Sequence, residues 1–540
     1  MIMISRFACL LIAFPIFFIS CKGGYDKKKK AFTSIDQSIS INIGSEPQTL
    51  DPRKARNLSD INLIKMLMDG LTRIDKSNEG ISLALAEKIE VSTDLKTYTV
   101  HLKEANWSNG DPVTAEDFLY AWKQSLSPHF NAPYANFLYV IKNAQEIKQG
   151  KLPLSLLGVD ILDSKTLVIN LNAPTPYFKK LLAKPIFFPV HAQKDRTCPS
   201  WASNPADFIG NGPFSLSEWK HCNTLELKKN SKYWDEKAVS LDTIKIVMVD
   251  EATELAMFEK QALHWAGSPL STIPTDAIES LRNSNSLQTL EGLGTNWIRI
   301  NTQNPHFKSQ KLRRAFGLAI NREEIVSFVT GGGQVATTSI VPPSLGLTKE
   351  PYFMDGSTEV AKQLFDEALE EMEITSNNLS EITLTYPSSD RAQRIAQTLQ
   401  DQWLKAFNLQ ITLEALEPKV YFDRISMQDY TLALGDWIAD FEDPINFLEV
   451  FKERDVGTNN THWENPSYTE LLKTANYCSS PESRLEMLSQ SEWILIEDMP
   501  VIPLFHSSFL YTQDENLHGV KITSSGDLDF KEAYLRHNKK

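Results

Sequence analysis

The chain has 540 residues, of which 42% are hydrophobic and 23% charged, a composition typical of a globular protein with two or three domains. Its 68 acidic and 55 basic residues give a formal net charge of −13. This acidic balance argues against nucleic-acid binding, which usually needs a basic surface, and it does not select among the remaining function classes.

The first residues have the pattern of an export signal. Arg6 is followed by an apolar stretch at residues 7–20, which is too short for a stable membrane-spanning helix but suits the core of a signal peptide. The ending Phe18-Ile19-Ser20-Cys21 resembles a bacterial lipobox, although Phe18 replaces the usual leucine. We therefore expect cleavage before Cys21 and lipidation of its thiol. The alternatives are a simple signal peptide that is cut nearby or a retained anchor.

Residues 22–30 contain Gly-Gly and four consecutive lysines, which predict a solvated tether. Beyond the signal, the cysteines are Cys198, Cys222 and Cys478. In an oxidising compartment Cys198 and Cys222 form a disulfide, or they remain two separate buried thiols, and Cys478 is unpaired under either interpretation. No spacing of Cys or His indicates a metal site, so we expect neither a metal nor a cofactor.

The remaining chain predicts strands and helices in alternation, from hydrophobic period and turn residues. In the first half, the predicted strands are residues 40–43, 97–102, 214–219, 224–227 and 244–249, and the predicted helices are residues 61–71 and 252–263. A turn at residues 44–47 ends the first strand. Thr114 and Asp117 form a capping-box-like pair before a helix that carries Phe118, Leu119 and Trp122 on its apolar side.

The second half predicts a β-α-β-α-β order. The predicted strands are residues 382–386, 411–416 and 431–437, and the helices between them are residues 391–407 and 421–427. Such an order implies a largely parallel sheet with right-handed crossovers. Because ligands of these sheets sit beyond the carboxyl ends of the strands, the residues just after Trp437 are candidates for a binding site.

Recognised enzyme motifs are missing from the sequence. It contains no Gly-x-Ser-x-Gly, no Walker A loop and no His-Glu-x-x-His. We interpret the glycines at 331–333 as a helix end with a flexible loop, and His506 as a structural side chain. We therefore expect no catalytic residues, although a missing motif does not exclude an enzyme.

Acidic residues cluster where the last predicted strand ends. Asp443 precedes Pro444 and is well placed to cap the next helix. Asp440 has no such local role, and beside Trp437 its carboxylate could receive the ammonium group of a ligand. From position alone, a solvated turn acid is the competing interpretation.

The chain resembles the oligopeptide-binding proteins of family 5 of the solute-binding proteins in four segments that follow the family's order. They are GSEPQTLDP at residues 44–52, YTVHLKEANWSNGDPVTAEDFLYAW at 98–122, NGPFSLSEW at 211–219 and KLRRAFGLAINREEI at 311–325. The resemblance implies an α/β protein with the two-lobed fold of periplasmic binding proteins. The fold is of the class II type with an extra inserted domain, and it has mixed sheets joined by a hinge.

The resemblance also implies domain boundaries. They are residues 1–20 for the signal peptide, 21–39 for the lipidated tether, 40–58, 183–284 and 509–540 for the sheet domain of lobe 1, 59–182 for its smaller inserted domain, and 285–508 for the α/β domain of lobe 2.

Individual site residues follow from the same resemblance. The family's acidic residue for the peptide α-amine falls on Asp440, within a matching Trp-x-Ala-Asp that includes Trp437. Glu46 matches a position near the cleft. Tyr134 matches a family tyrosine that lines the cleft or packs in the core of the inserted domain.

The sequence departs from the family at the other end of the peptide. A basic residue six places before the amine-binding Asp can hold the carboxylate of short peptides, and Leu434 occupies that position here. A family histidine for longer peptides falls near Ala392, where the neighbouring Arg391 is a substitute. Longer peptides, or peptides with an altered end such as cell-wall stem peptides, are therefore compatible with the sequence.

We expect a lipid-anchored binding protein in the periplasm that captures oligopeptides and delivers them to the permease subunits of an ABC importer. The sequence does not decide between the inner and outer membrane. We expect a monomer that does not bind nucleic acid. The competing hypotheses are a carrier of dipeptides, haem, a nickel chelate or peptidoglycan fragments, and a lipid-anchored enzyme or periplasmic chaperone.

Overall fold

The computed structural model of the protein describes residues 36–75, 80–348, 350–454, 458–478 and 480–536. The described residues from Gln37 onward belong to one compact unit, Gln37–Lys540, which is called the second unit below. The predicted signal peptide, the lipidation site at Cys21 and most of the tether lie outside the described residues. All elements below belong to the second unit.

The strands, in chain order, are β1 Ser38–Asn42, β2 Thr72–Ile74, β3 Ile81–Leu83, β4 Ala86–Val91, β5 Thr97–Leu102, β6 Val159–Asp163, β7 Thr166–Asn170, β8 Phe214–Lys220, β9 Thr224–Lys229, β10 Thr243–Val247, β11 Trp265–Gly267, β12 Gln288–Ile300, β13 Val335–Ala336, β14 Thr383–Pro387, β15 Thr412–Leu416, β16 Leu432–Ile438, β17 Val501–Gln513, β18 Leu517–His518, β19 Lys521–Ile522, β20 Leu528–Asp529 and β21 Tyr534–Leu535.

The α-helices are α1 Leu58–Leu67, α2 Ala115–Leu126, α3 Ala144–Lys148, α4 Phe178–Leu181, α5 Ala192–Thr197, α6 Glu251–Glu259, α7 Ile278–Asn283, α8 Gln310–Leu318, α9 Arg322–Glu324, α10 Thr358–Glu371, α11 Asp390–Phe407, α12 Pro418–Ser426, α13 Ile445–Leu448, α14 Pro466–Tyr477 and α15 Pro481–Asp498. A π-helix, Ile325–Thr330, continues α9.

One mixed sheet runs through the second unit in the order β15-β14-β16-β12-β17-β11-β1-β10-β9-β8, and β13 also pairs with β17. Strand β14 is parallel to both β15 and β16, which confirms the parallel arrangement predicted for the second half. Strand β12 is antiparallel to both of its neighbours, β16 and β17. The two longest strands therefore lie side by side and join the sheet of the first half to that of the second.

A separate antiparallel sheet has the order β4-β5-β7-β6. Helix α2 begins with the predicted capping box, in which Thr114 and Asp117 satisfy each other's backbone groups. Phe118 and Trp122 of this helix are fully buried, as predicted, whereas Leu119 is only partly buried. These elements fall inside the predicted inserted domain, but the domain boundaries themselves stay predictions.

Two hydrophobic cores support the two halves of the large sheet. The first core includes residues of β1, β10, α1, α2 and the segment 439–475. The second core lies between α8, α10, α11 and strands β14 and β16. Strand β12 contributes Trp297 to the first core and Ile298 to the second, so its two faces join different parts of the interior.

Two predicted helices are shorter than their hydrophobic periodicity indicates. Helix α1 ends at Leu67 because Met68 is extended, and the following Gly70 packs so closely that a Cβ there would lie 2.6 Å from the ring of Phe188. Met68 and Leu71 are nevertheless fully buried. Helix α6 ends at Glu259, and Gln261 then has a left-handed conformation with φ of 58°. In the first place the apolar spacing predicts burial correctly but does not mark the helix end, whereas in α6 the one buried residue is Glu254.

The cysteines Cys198 and Cys222 are both free thiols, so the disulfide interpretation is wrong. The alternative of two buried thiols is also wrong in part, because Cys222 is exposed in the turn between β8 and β9 and Cys198 is half-buried. Cys478 is free, as both interpretations required. Within the described ranges, no helix has both the length and the hydrophobicity to cross a membrane.

Replacing Trp122 by alanine is expected to lower the free energy of unfolding by about 3–5 kcal/mol, because it removes a large core side chain. It also removes the hydrogen bond from the indole Nε1 to the Phe187 carbonyl at 3.0 Å. Leu119→Ala on the same helix is the matched control and should cost about 1 kcal/mol, since this side chain is only partly buried. Urea unfolding measures both values, and equal losses would contradict the prediction.

Candidate functional site

The loop that follows β16 is held by the side chain of Asn446. Its Oδ1 accepts the indole N–H of Trp437 at 2.8 Å and the backbone N–H of Asp440 at 3.1 Å. The backbone N–H of Ala439 donates to the Leu293 carbonyl at 2.7 Å. The predicted site residues Trp437 and Asp440 are thus positioned by one amide that the sequence interpretation missed. In the sequence, the one feature that indicated a role for Asn446 was its position in the first helical turn after Pro444.

Asp443 has the structural role that the sequence predicted, together with a partner that it did not. Its Oδ1 accepts the backbone N–H of Ile445 at 3.0 Å, at the beginning of α13. Its two carboxylate oxygens also accept two hydrogen bonds from Arg484, each 2.9 Å long. The charge of Asp443 is therefore neutralised within the fold, and it is not available to a ligand.

A cavity of about 180 Å³ lies between the two halves of the chain. Residues 438–440 form one wall, and the loop before α1, the segment 134–137, the segment 184–186 and residues 525–527 form the others. Most of the lining is apolar, and its charged members are Asp440, Asp527, Lys184 and Arg56. The volume is below the roughly 300–1,000 Å³ of typical ligand pockets. An extended peptide therefore requires a more open arrangement of these walls.

Asp440 is the carboxylate in this cavity that has no cation of its own. Burial raises the pKa of Asp440 to about 6, while the charge of Lys184 and a hydrogen bond from Asn446 act in the opposite direction. Among the described residues, no Lys, Arg or His forms an ion pair with this carboxylate within 4.0 Å. A buried acid of this kind favours the arrival of a cation.

The cation whose charge acts on Asp440, Lys184, forms an ion pair elsewhere. Its Nζ lies 3.6 Å from Oδ2 of Asp527, and Asp527 also pairs with Lys65. Burial lowers the pKa of Lys184, and the charges of Asp440 and Glu442 partly oppose this effect. The positive charge of Lys184 therefore lowers the free energy needed to ionise Asp440. Lys184 does not bond to the carboxylate oxygens, so these can accept from another donor.

Tyr134 lines the same cavity as Asp440. Its hydroxyl donates to the Arg56 carbonyl at 3.2 Å, and its ring stacks on Phe137 with 5.2 Å between the ring centroids. Burial, and secondarily the charge of Asp440, raises the pKa of Tyr134 to about 12. Its ring therefore forms a wall of the cavity and also packs against a neighbour, so the two interpretations of Tyr134 are compatible.

The other two candidates lie outside the described lining of this cavity. The carboxylate of Glu46 contacts the hairpin between β8 and β9, where it accepts the backbone N–H of Cys222 at 2.8 Å and lies 2.7 Å from Nδ1 of His221. Arg391, at the beginning of α11, is exposed, and its guanidinium carbon lies 5.7 Å from the ring centroid of Phe505.

The residues next to Asp440 join it to the opposite wall. The ring of Phe441 stacks on Tyr177 with centroids 4.5 Å apart and meets Phe137 edge-on at 6.5 Å. Lys180 donates to the Glu442 carbonyl at 2.9 Å. These contacts connect the end of β16 to the segment around α4, and the sequence interpretation did not include them.

The whole chain has clear relatives. A family model described as bacterial extracellular solute-binding proteins, family 5 middle, matches residues 80–459. The oligopeptide-binding protein OppA of Bacillus subtilis (strain 168) is 37% identical over 506 residues, which cover 92% of this chain and 93% of the relative.

The chain belongs to family 5 of the bacterial extracellular solute-binding proteins. This is a family of solute-binding proteins, as the four sequence segments indicated, and the two-lobed α/β fold expected from the resemblance is confirmed.

Solved structures of family 5 proteins extend this likeness to three dimensions. The substrate-binding domain of an oligopeptide ABC transporter from Bacillus anthracis str. Ames has a TM-score of 0.79 and 28% identity, covering 93% of this chain and 99% of that chain. The murein tripeptide binding protein MppA of Escherichia coli has a TM-score of 0.80 and 27% identity, with the same coverage.

Asp440→Asn is expected to raise the free energy of unfolding by about 1–3 kcal/mol at pH 8. The folded-state pKa, at about 6, lies above the usual value of 3.8, so the ionised carboxylate lowers stability above pH 6. The gain should shrink as the pH falls from 6 to 4, because the wild-type carboxyl then becomes protonated in the folded state. Urea unfolding at several pH values measures this difference.

Asp443→Asn is the matched control three residues away. Because this substitution leaves the buried Arg484 without its partner, it should lower the free energy of unfolding by about 3 kcal/mol. A loss of stability at pH 8 in both variants would contradict the assignment of Asp440 as an unpaired buried charge.

Proposed function

We propose that the protein captures oligopeptides between its two lobes and delivers them to the permease subunits of an ABC importer. The observation that carries this proposal is the Asp440 carboxylate, which lies in the cavity between the two halves and has no ion-pair partner among the residues that the structure describes. An ammonium group at this place gains a charge-assisted hydrogen bond in a dry environment. The similarity to the oligopeptide-binding protein OppA supports a peptide as the source of that ammonium.

The edge of β16 supports binding of an extended peptide backbone. Asn301 donates to the Thr431 carbonyl, and Ala439 donates to the Leu293 carbonyl, so the odd-numbered residues of β16 bond to β12. The N–H and C=O groups of Leu434, Asp436 and Ile438 therefore point away from β12. Strand β14 pairs with β16 only at Leu432 and Ala433. Beyond Ala433 a ligand strand can bond to the N–H groups of this edge and to the Ile438 carbonyl, while the carbonyls of Leu434 and Asp436 accept from Arg299. Binding through backbone groups tolerates many ligand side chains.

Site roles follow from these two features. Asp440 receives the α-amine, Trp437 positions the loop through Asn446, and Tyr134 forms the facing wall of the cavity. Arg391 is the candidate from the sequence for the carboxylate end of the ligand. Glu46 stays a predicted cleft residue, although its carboxylate contacts His221 and Cys222.

Closure of the two lobes is assigned to the pair of long strands β12 and β17. Their register shifts between Glu291 and Thr295, where the chain passes Gly292 and Gly294. A break of this kind in an otherwise continuous ladder can absorb a change of backbone angles. The domain boundaries predicted from the resemblance are part of this proposal, with lobe 2 extending over residues 285–508.

The cellular context is also proposed from the sequence. Cleavage before Cys21 and lipidation of its thiol would anchor the protein to a bacterial membrane, with residues 21–39 as the tether in the periplasm. The protein acts as a monomer, without catalysis, a cofactor or nucleic acid. Its function rests on the difference in ligand affinity between the open and closed lobes.

A second candidate ligand is the stem peptide of the cell wall or another peptide with an altered end. Leu434 is buried in the second core, so this position offers no charge to a standard carboxylate. The similarity to the murein tripeptide binding protein MppA is compatible with such a ligand. Mass spectrometry of the molecule that co-purifies with the protein distinguishes the two candidates.

Asp440→Asn is expected to weaken peptide binding by at least about tenfold, because the ammonium group then lacks its counter-charge in a buried site. Isothermal titration calorimetry of the wild-type protein with a free peptide and with its N-acetylated form provides the control. Equal affinities of the wild-type protein for the two peptides would refute the amine-receptor role of Asp440.

Cys21→Ala is expected to abolish incorporation of labelled palmitate and to release the protein from the membrane fraction. Cys198→Ala is the control, and it should retain both the label and the membrane association. Full labelling of the Cys21→Ala protein would show that the lipobox interpretation is wrong.

A further inference from the structure

Arg299 extends from β12 across the neighbouring strand β16. Its backbone is in register with Ala433, but its guanidinium reaches the far edge of β16. There Nη1 donates to the Leu434 carbonyl at 3.4 Å and Nη2 donates to the Asp436 carbonyl at 3.3 Å. These carbonyls point away from β12 because the odd-numbered residues of β16 bond to β12.

The absence of a side chain at Gly435 makes this path possible. A Cβ at Gly435 would lie 1.7 Å from Nη1 of Arg299 and 2.4 Å from its guanidinium carbon. Any other residue at this position would therefore displace the guanidinium. Because Arg299 passes over Gly435, a cation lies at the edge of β16 although no residue of β16 supplies the charge.

The positive charge of Arg299 is not neutralised within the fold. Among the described residues, no carboxylate forms an ion pair with it within 4.0 Å. Its hydrogen bonds to the two carbonyls are long, and the Tyr421 hydroxyl donates to one of the same carbonyls. By contrast, Arg53, Arg73 and Arg484 all contact carboxylates, and Arg313, which also bonds to carbonyls, is buried inside the fold and does not lie at a strand edge. A guanidinium that faces an open strand edge with only neutral partners favours an arriving carboxylate, to which charge-assisted bonds are about twice as strong.

The distance along β16 relates this cation to Asp440. From Asp436 to Asp440 the chain advances by at most about 13 Å, at about 3.3 Å per residue. An extended peptide of about four residues spans this length. A peptide with its amine on Asp440 that runs antiparallel to β16 would bring its carboxylate to the guanidinium of Arg299.

We propose that Arg299 is the receptor for the C-terminal carboxylate of the bound peptide, so that the site selects linear peptides of about four residues with a free acid end. The inference rests on the proposed function, because it takes Asp440 as the amine receptor. It assigns to Arg299, on the adjacent strand, the role that Leu434 cannot perform.

Arg391 is the competing cation. It lies at the beginning of α11 against Phe505, which pairs with Asn296 of β12, and Asn296 in turn pairs with Asp436. Arg391 is thus near the same stretch of β16, but within the described ranges its side chain makes no hydrogen bond to the strand edge. A variant of each arginine therefore separates the two assignments.

The test is isothermal titration calorimetry of the full chain with tetra-alanine and with tetra-alanine amide. The wild-type protein should bind the acid at least about tenfold more tightly than the amide. Arg299→Met should lose this preference by weakening the acid alone, whereas Arg391→Met should retain it. Gly435→Ala, which displaces only the end of a flexible side chain, should show the same selective loss as Arg299→Met.

Three results would overturn the proposal: equal wild-type affinity for acid and amide, equal weakening of both peptides by Arg299→Met, or a selective loss in Arg391→Met instead. Binding of N-acetylated tetra-alanine shows whether only the role of Arg299 is wrong or whether the proposed amine site at Asp440 is wrong as well. If N-acetylation weakens binding but amidation does not, the amine site at Asp440 stands and only the role of Arg299 fails. If neither modification matters, the proposed function fails as well.

Discussion

Strand β12 is the constraint on which the arrangement of the site depends. It pairs with β17 on one edge and with β16 on the other, and it belongs to both hydrophobic cores. Through its pairing with β16 it sets which backbone groups of that strand face outward. Its residue Leu293 also receives the N–H of Ala439, which fixes the point at which β16 gives way to the loop of Asp440.

The charges near this strand differ in whether they have an ion-pair partner inside the fold. Several buried charges of the protein are matched inside the fold, as in the pairs of Arg53 with Asp51 and of Arg484 with Asp443, whereas Glu254 and Glu492 are buried with hydrogen-bond donors but no cation within 4.0 Å among the described residues. Asp440 is half-buried and has no such partner among the described residues, and Arg299 contacts carbonyls and the ring of Trp297 but no described carboxylate within 4.0 Å. Unpaired groups of opposite charge at the two ends of one strand edge lower the stability of the ligand-free protein. This loss of stability is compatible with a ligand that carries both complementary charges.

Local sequence patterns predicted much of the framework. The capping box at Thr114, the strand over 97–102 and the parallel order of β14, β15 and β16 are present as the patterns indicated. Such features depend on neighbours within a few residues, so a single sequence contains them. The helix ends near Leu67 and Glu259 were misplaced because tertiary contacts, such as the approach of Gly70 to Phe188, overrode the apolar period.

By itself, the sequence determined the family and the alternation of elements, and it predicted Asp440 as a ligand residue, because each depends on residue type in a short ordered motif. It also identified Leu434 as a position without a charge. Only the tertiary structure decided that Asp440 has no ion pair within the described part of the chain, that Asn446 holds its loop, and that Arg299 reaches the edge of β16 over Gly435. The reason is that each of these features depends on a contact between residues, and the contact of Arg299 with β16 joins residues far apart in the chain. Arg299 and Gly435 are separated by more than a hundred positions, and only the register of β12 on β16 brings them together.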